Sequence, residues 1–314
     1  DNTDDGSGVI NTPAGGATIS SSDPSISTNA DLGTNWANST TGDYYILTDA
    51  TEGSNIWTNV DAGQDSIQAL NFGGQGGGTG YGYRAGGYYP SISAEQDKYA
   101  YASDGNATAV TALTTAVYAG YGNQSDTVGY CHAGAAPATR TVLKHTFASN
   151  ASATLGDHLL VAHNAGSACP NSSTYGYCMG GSTSSAIKID IEKMAYASEA
   201  AFTNVGDCYD DNGAHSLGHG SAHSSYTHGY RAGGHTDGPG SHQTDKIEKF
   251  PFASDSNSAL VASLYRGIDT GIAGASSITH GYLLGGHGSP QTEIDKFPFA
   301  SDSASTDVGD LHTG

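Results

Sequence analysis

The sequence predicts an all-β protein built from repeated units, and three observations carry that prediction. A Gly-Tyr pair followed by two residues and Gly-Gly begins at Gly82, Gly129, Gly176, Gly229 and Gly281, with successive spacings of 47, 47, 53 and 52 residues, the second copy being worn to Ala133-Gly134 at its end. A period of this size marks a fold made of supersecondary units. A second register follows each Gly-Tyr: a lysine with an aromatic three positions later and then Ala-Ser, namely Lys98 with Tyr101, Lys144 with Phe147, Lys193 with Tyr196, Lys249 with Phe252 and Lys296 with Phe299. Composition is the third observation. The 314 residues include 45 glycines and 19 tyrosines, with abundant Ser and Thr and few long aliphatic runs, the profile of short strands rather than helices.

Within a unit, the lysine segment is the clearest strand. In Ile294-Asp295-Lys296-Phe297-Pro298-Phe299, Asp295 and the two phenylalanines fall on one face while Ile294 and Lys296 fall on the other, the period of two that a strand requires. The Ala-Ser-Asp that follows, as at residues 253 to 255 and 300 to 302, supplies short polar side chains that favour a turn. A further apolar kernel comes next, around Val110, Leu155, Val205, Val261 and Val308. The last element is the Ser/Thr/Gly-rich approach to the next Gly-Tyr, as in Ser276 to Tyr282. The best helical candidate, Ser185 to Ala197, coincides with a repeat strand.

Units of about 50 residues with three or four short strands point to a radial β-propeller of four-stranded blades, which protects the sheet edges that a linear stack exposes. Residues 65 to 72 overlay on the lysine strand, with Ile67, Leu70 and Phe72 matching Ile294, Phe297 and Phe299, and Asp43 to Leu47 fits a Gly-Tyr strand. That gives six blades, with repeats near 45, 83, 130, 177, 230 and 282; five or seven stay open. The last repeat stops at Val308-Gly309-Asp310-Leu311, so an N-terminal strand is expected to complete that blade and close the ring. Residues 1–40, dominated by Gly, Ser, Thr, Asn and Asp, read as an extended or flexible arm, and 41–314 as the propeller.

The hydrophobic-Gly-Tyr-x-x-Gly-Gly strand, followed by a strand bearing an aromatic, resembles the kelch type of β-propeller over roughly residues 80 to 314. The chain departs from that pattern in lacking a blade tryptophan, since Trp36 and Trp57 lie outside the clear repeats. The wording Gly-Tyr-x-x-Gly-Gly with Lys-Phe-Pro-Phe-Ala-Ser-Asp and Thr-Asp-Val-Gly-Asp-Leu is also similar to repeats in structural proteins of tailed phages, notably marine ones. That resemblance implies a virion or other extracellular location and contacts with neighbouring subunits. Gly-Tyr-Cys at 129 to 131 and 176 to 178 is similar to the tyrosine and cysteine chemistry of kelch-type copper oxidases, without a matching ligand set.

Charge narrows the partners. The formal net charge is −20 with only 11 Lys and Arg, and five of the lysines are spread one per unit, so a phosphate-binding groove is disfavoured and no nucleic-acid partner is expected. No apolar run approaches the roughly 18 to 20 residues of a membrane-spanning helix.

Six of the 13 histidines fall between His215 and His242. Imidazole ligates zinc, copper or nickel, which makes His223, His228 and His235 the candidate metal ligands. Against that, His228 and His280 stand where other repeats have Tyr81, Val128 and Tyr175, and His235 and His287 where others have Tyr88, Ala135 and Ser182, so packing or turn bonding accounts for them equally well. The four cysteines, Cys131, Cys169, Cys178 and Cys208, contain no Cys-x-x-Cys. Cys131 with Cys178, Cys169 with Cys178 and Cys169 with Cys208 are the disulfides open to the chain.

Catalytic patterns are absent from the sequence: there is no His-Glu-x-x-His, no nucleophile elbow and no phosphate loop. No cofactor is expected. The chain is expected to be a non-enzymatic structural propeller displayed on a virion or extracellular assembly, contacting other subunits or a host-surface glycan. The alternative is a secreted lectin, in which Tyr88, Tyr89 and Tyr209 stack on sugar rings. A kelch-type copper oxidase is the third reading.

Overall fold

The computed structural model describes residues 17–41, 43–52, 54–59, 80–88, 91–103, 105–132, 134, 139–163, 168–183, 187–209, 219–235, 243–268, 273–277, 279–286 and 292–312. Among them there is no helix, and the strands form six sheets of three or four. The chain divides into two compact units, Asp1–Gln68 and Ala69–Gly314. The all-β expectation is therefore met, in a propeller-like set of small sheets. Residues 65 to 72, the expected lysine strand of a sixth unit, lie outside the described residues.

The first unit holds one sheet of four strands in sequence order: β1 (Thr18–Ser20), β2 (Asn35–Asn38), β3 (Tyr44–Asp49) and β4 (Ile56–Asn59). β1 pairs with β2 in parallel and the other pairs are antiparallel. Two of these strands come from residues 1–40, the stretch whose composition reads as an arm. The two tryptophans meet edge to face at 5.8 Å, and their indole N–H groups donate to Ser22 O and Thr28 O.

The second unit holds five antiparallel meanders. They are β5 (Tyr81–Tyr88), β6 (Ile92–Ala100) and β7 (Thr108–Val110); then β8 (Tyr121–Gln124), β9 (Val128–His132), β10 (Thr141–Thr146) and β11 (Ala151–Asp157). The third is β12 (Tyr175–Ser182), β13 (Ile187–Ala195) and β14 (Thr203–Asp207). The fourth is β15 (Ser221–Ser224), β16 (His228–Ala232), β17 (Thr244–Pro251) and β18 (Ala259–Ile268), and the fifth is β19 (Ala273–Ser276), β20 (His280–Leu284), β21 (Glu293–Pro298) and β22 (Thr306–Asp310). Each sheet pairs a Gly-Tyr strand with a lysine strand. In the third, the segment beside β12 makes only the isolated bridges Ala168↔Met179 and Asn171↔Gly176, because Pro170 between them has no N–H to donate.

The repeat residues have distinct jobs. The glycine of Gly-Tyr lies under a cross-strand side chain: a Cβ on Gly229 would stand 2.5 Å from the Phe250 ring, and one on Gly281 would collide with Phe297. The Gly-Gly pair turns through positive φ, 64° and 123° at Gly233 and Gly234, which excludes a side chain on conformational grounds. On the lysine strand β21, Asp295, Phe297 and Phe299 are buried while Ile294, Lys296 and Pro298 are half-buried, as the alternation predicts.

Two further contacts run from each sheet to the next. The Gly-Tyr tyrosine stacks on the following unit's aromatic: Tyr83 on Phe147 at 4.9 Å, Tyr130 on Tyr196 at 5.4 Å, Tyr177 on Phe252 at 5.1 Å and Tyr230 on Phe299 at 4.7 Å. The repeat lysine donates to the residue after the next Ala-Ser: Lys98 to Asn150 at 3.3 Å, Lys144 to Glu199 at 2.6 Å, Lys193 to Asp255 at 2.6 Å and Lys249 to Asp302 at 2.5 Å. Asn150, Glu199 and Asp302 adopt positive φ of 52°, 48° and 48°. The turn thus presents the acceptor from a left-handed backbone conformation, which Asn and Asp adopt more readily than Glu.

Candidate functional site

A cavity of about 650 Å³ opens inside the second unit, with walls from all five sheet regions. β5 and β6 supply Tyr83, Arg84, Gln96 and Tyr99; β8 to β10 supply Tyr121, Asn123, Gln124, Tyr130, Lys144 and His145. Cys169, the stretch from His219 to Ala222 and the start of β19 at Ala273 and Gly274 complete it. Glycine accounts for the closeness of the last two walls, since a Cβ on Gly274 would run into the Ser221 hydroxyl.

The electrostatics are unlike those of the whole chain. In a protein with 31 Asp and Glu, no carboxylate lines the cavity among the described residues. Its two cations are each matched from beside the wall: Arg84 meets Asp97 at 2.9 Å and Lys144 meets Glu199 at 2.6 Å. The lining is left with uncharged amides, hydroxyls, imidazoles and tyrosine rings.

Asn123 Oδ1, Ser221 Oγ and His145 Nε2, buried atoms of lining residues, have no hydrogen-bond partner among the described residues. The Asn123 Nδ2 group is spent on Cys169 O, Pro170 O, Tyr177 O and Asn171 Oδ1, at 2.9 to 3.2 Å. Gln96 Nε2 donates to Thr111 O at 2.6 Å and to Ser152 Oγ at 2.7 Å, with His145 Nδ1 farther away at 3.3 Å. Burial, with Lys98 nearby, holds the His145 pKa below its ordinary value and keeps the ring neutral. An amide oxygen and an imidazole nitrogen of the second sheet and a hydroxyl of the fourth are thus buried beside the cavity, each at a desolvation cost.

The residues singled out in the sequence lie elsewhere. Tyr88 ends β5, 66% exposed, with its ring 5.4 Å from that of Tyr118. Tyr209 follows β14, its backbone N–H donating to Glu248 Oε2 and Ser258 Oγ. Tyr88 and Tyr209 thus stand on the first and third sheets and do not share the cavity lining; Tyr89 lies outside the described residues. Of the cavity tyrosines, Tyr83 and Tyr130 belong to the Gly-Tyr pairs of the repeat, whereas Tyr99 and Tyr121 fall outside both sequence registers.

The three candidate metal ligands are engaged separately. His223, on β15, donates from Nδ1 to Ala275 O at 3.1 Å and lies edge-on to Phe297. Burial pushes its pKa down to about 4. His228 opens β16 with Nδ1 against the Thr227 hydroxyl at 2.8 Å, an arrangement repeated by His280 and Thr279. His235 sits past the Gly-Gly turn with its ring 6.5 Å from that of His219. Among the described residues no three His, Cys, Asp or Glu side chains gather as metal ligands.

Among solved structures the chain is similar to YjhT, with 12% sequence identity, a TM-score of 0.60, and coverage of 79% of this chain and 86% of that one. No protein-family model and no curated protein matches it. At that identity the likeness is one of fold alone, and the chain is accordingly placed among all-β, β-propeller-like proteins.

Proposed function

We propose that this chain is a non-enzymatic recognition propeller, displayed on a virion or other extracellular assembly, which holds an uncharged saccharide in the cavity of its second unit. The five sheets of that unit are read as consecutive blades. One observation carries the reading: in a strongly acidic chain, the cavity is lined by tyrosines, amides, hydroxyls and imidazoles, with no lining carboxylate among the described residues. Sugar rings offer apolar faces to aromatic side chains and hydroxyls that both donate and accept. The volume of about 650 Å³ falls within the usual range for small-ligand sites. Catalysis of glycoside cleavage would call for two facing carboxylates, which this lining does not offer among the described residues.

Assembly contacts rest on a different observation. The repeat lysines and aromatics are occupied within the chain, so the exposed tyrosines Tyr88, Tyr226 and Tyr265 are available as amphipathic contact surface.

A glycan array probed with the isolated chain, followed by calorimetric titration of the best neutral saccharide, tests the reading. Tyr99→Ala removes a half-exposed lining ring and is expected to weaken binding about tenfold or more, with the melting temperature little changed. Absence of binding to any neutral saccharide, or equal binding by the variant, would overturn the cavity assignment. Sizing chromatography decides separately whether the chain forms stable higher assemblies.

A further inference from the structure

The segment that precedes β12 in the third sheet is held differently from its counterparts. β8, β15 and β19 each pair with the Gly-Tyr strand in an unbroken four-residue register. Residues 168 to 171 meet β12 only at the two isolated bridges flanking Pro170. Between those bridges, Cys169 faces Cys178 with Sγ to Sγ at 3.5 Å.

The register suits a covalent link. Ala168 and Met179 exchange both backbone hydrogen bonds, and Tyr177 N–H donates to Pro170 O. Cys169 and Cys178 therefore occupy the intervening non-hydrogen-bonded pair. Facing residues there stand roughly 4.5 Å apart at Cα, inside the span of about 4.4 to 6.8 Å that a disulfide bridges. Both thiols are buried beside Tyr130, Val142, Leu159, Met194 and Phe202. Cys131 and Cys208 pack into other clusters. His132 of the second sheet brings Nδ1 to 3.8 Å from Cys178 Sγ, a nitrogen placed to take the thiol proton.

We propose that Cys169 and Cys178 form an oxidisable pair whose disulfide fastens residues 168 to 171 to β12 where proline has interrupted the ladder. The oxidant is a small-molecule disulfide such as oxidised glutathione. One cysteine thiolate attacks its sulfur and releases one glutathione thiolate, leaving a mixed disulfide on the protein. The second cysteine thiolate then attacks the protein sulfur of that bond and releases the other glutathione. Two protein thiols are oxidised, one glutathione disulfide is reduced to two thiols, and the cysteine protons pass to the departing thiolates. Burial holds the Cys178 pKa well above its ordinary value, so the bond closes while the chain folds or during local opening. The fastened segment carries the Cys169, Pro170 and Asn171 oxygens that bind Asn123 Nδ2, so the bond also fixes one wall of the cavity.

The test folds the full chain in a glutathione redox buffer and exposes the native protein to excess oxidised glutathione. The chain is then unfolded in guanidinium with iodoacetamide, and its mass is measured before and after reduction. Two alkyl groups instead of four, a mass about 2 Da lower before reduction than after it, and a crosslinked peptide joining Cys169 to Cys178 are expected. Reductant is expected to lower the melting temperature by about 5 °C in the wild type and in Cys131→Ser/Cys208→Ser, and by nothing in Cys169→Ala/Cys178→Ala. Uptake of four alkyl groups, or a bridge involving Cys131 or Cys208, would overturn the proposal. If the Cys169/Cys178 double variant does not fold, the wild-type peptide map decides the matter alone.

Discussion

The Lys193 ammonium of the third sheet lies 2.6 Å from the Asp255 carboxylate of the fourth, and the equivalent contact to the sheet that follows runs from Lys144 and Lys249 to a carboxylate and from Lys98 to the Asn150 amide oxygen. The repeat lysine is thus a joint between neighbouring sheets, set beside the stack of each Gly-Tyr ring on the next aromatic. Lys296, the fifth, has no acidic partner among the described residues, and its ammonium stands 5.9 Å from the Tyr282 ring.

Such a joint contributes little by itself. Lys144 and Glu199 are 26% and 24% exposed, so screening is substantial and the coupling between Lys144→Met and Glu199→Gln is expected at about 0.5–1 kcal/mol. Raising the salt concentration should reduce it. Denaturant unfolding of both single variants and the double variant provides the measurement, and zero coupling at low salt would remove the lysine from the account of how sheets are joined.

The ring stack is the stronger joint. Tyr230 is 2% exposed and stacks on Phe299, so Tyr230→Ala is expected to cost about 3–5 kcal/mol through lost burial and a residual cavity. Tyr230→Phe keeps the ring and loses only the hydroxyl bond to Phe299 O, 3.3 Å in length, for about 1 kcal/mol. Equal losses in the two variants would show that the hydroxyl, not the ring, carries the contact.

These joints explain which parts of the molecule the sequence discloses. Lys193 and Asp255 sit in adjacent repeats, so the lysine position and the residue after Ala-Ser are both visible as registers, while their pairing across units needs the fold. The face assigned to Asp295 is legible from alternation with Phe297 and Phe299. That the equivalent Glu192 and Glu248 are also buried is hidden, because an acid beside a lysine reads as a solvated strand edge. The cavity was the least legible part. Tyr99 and Tyr121 differ from Tyr88 and Tyr209 only in which sheet faces them, and local patterning carries no record of that. Likewise, the clustering of His223, His228 and His235 in sequence is dispersed by one hairpin and one Gly-Gly turn.

His223 makes stability depend on pH. It is fully buried against Phe297 and the Ala275 carbonyl, and its folded pKa of about 4 lies below the ordinary 6.5. Above about pH 6.5 the ring is neutral in both states and its contribution is fully present. As pH falls from 6.5 towards 4 the unfolded chain takes up a proton that the folded chain refuses, and up to about 3 kcal/mol is lost. Asp295, whose pKa burial raises, acts in the opposite sense at the acid end, so the comparison is wild type against His223→Asn. The variant should lose less stability between pH 6.5 and 4, and parallel curves would show that another group dominates that window.

The buried pair Arg231 and Glu248 sets a limit on what polar substitution the fourth sheet tolerates. The side chains are 0% and 1% exposed with Nη2 to Oε1 at 2.5 Å. The other carboxylate oxygen accepts from Ser258 Oγ at 2.8 Å and Tyr209 N at 3.0 Å. Removing only the acid in Glu248→Ala strands a guanidinium whose Nε and Nη1 already lack protein partners among the described residues, and a loss of about 3–5 kcal/mol is expected. Replacing both residues, as in Arg231→Met/Glu248→Leu, removes the charge together with the need to solvate it and should recover most of that loss. The Tyr209 N–H and Ser258 hydroxyl lose an acceptor in either case, which keeps the recovery incomplete. Guanidinium unfolding of the single and double variants measures the difference directly. A double variant as unstable as Glu248→Ala would mean that the carboxylate's bonds to Tyr209 and Ser258, rather than its neutralisation of Arg231, hold this part of the sheet.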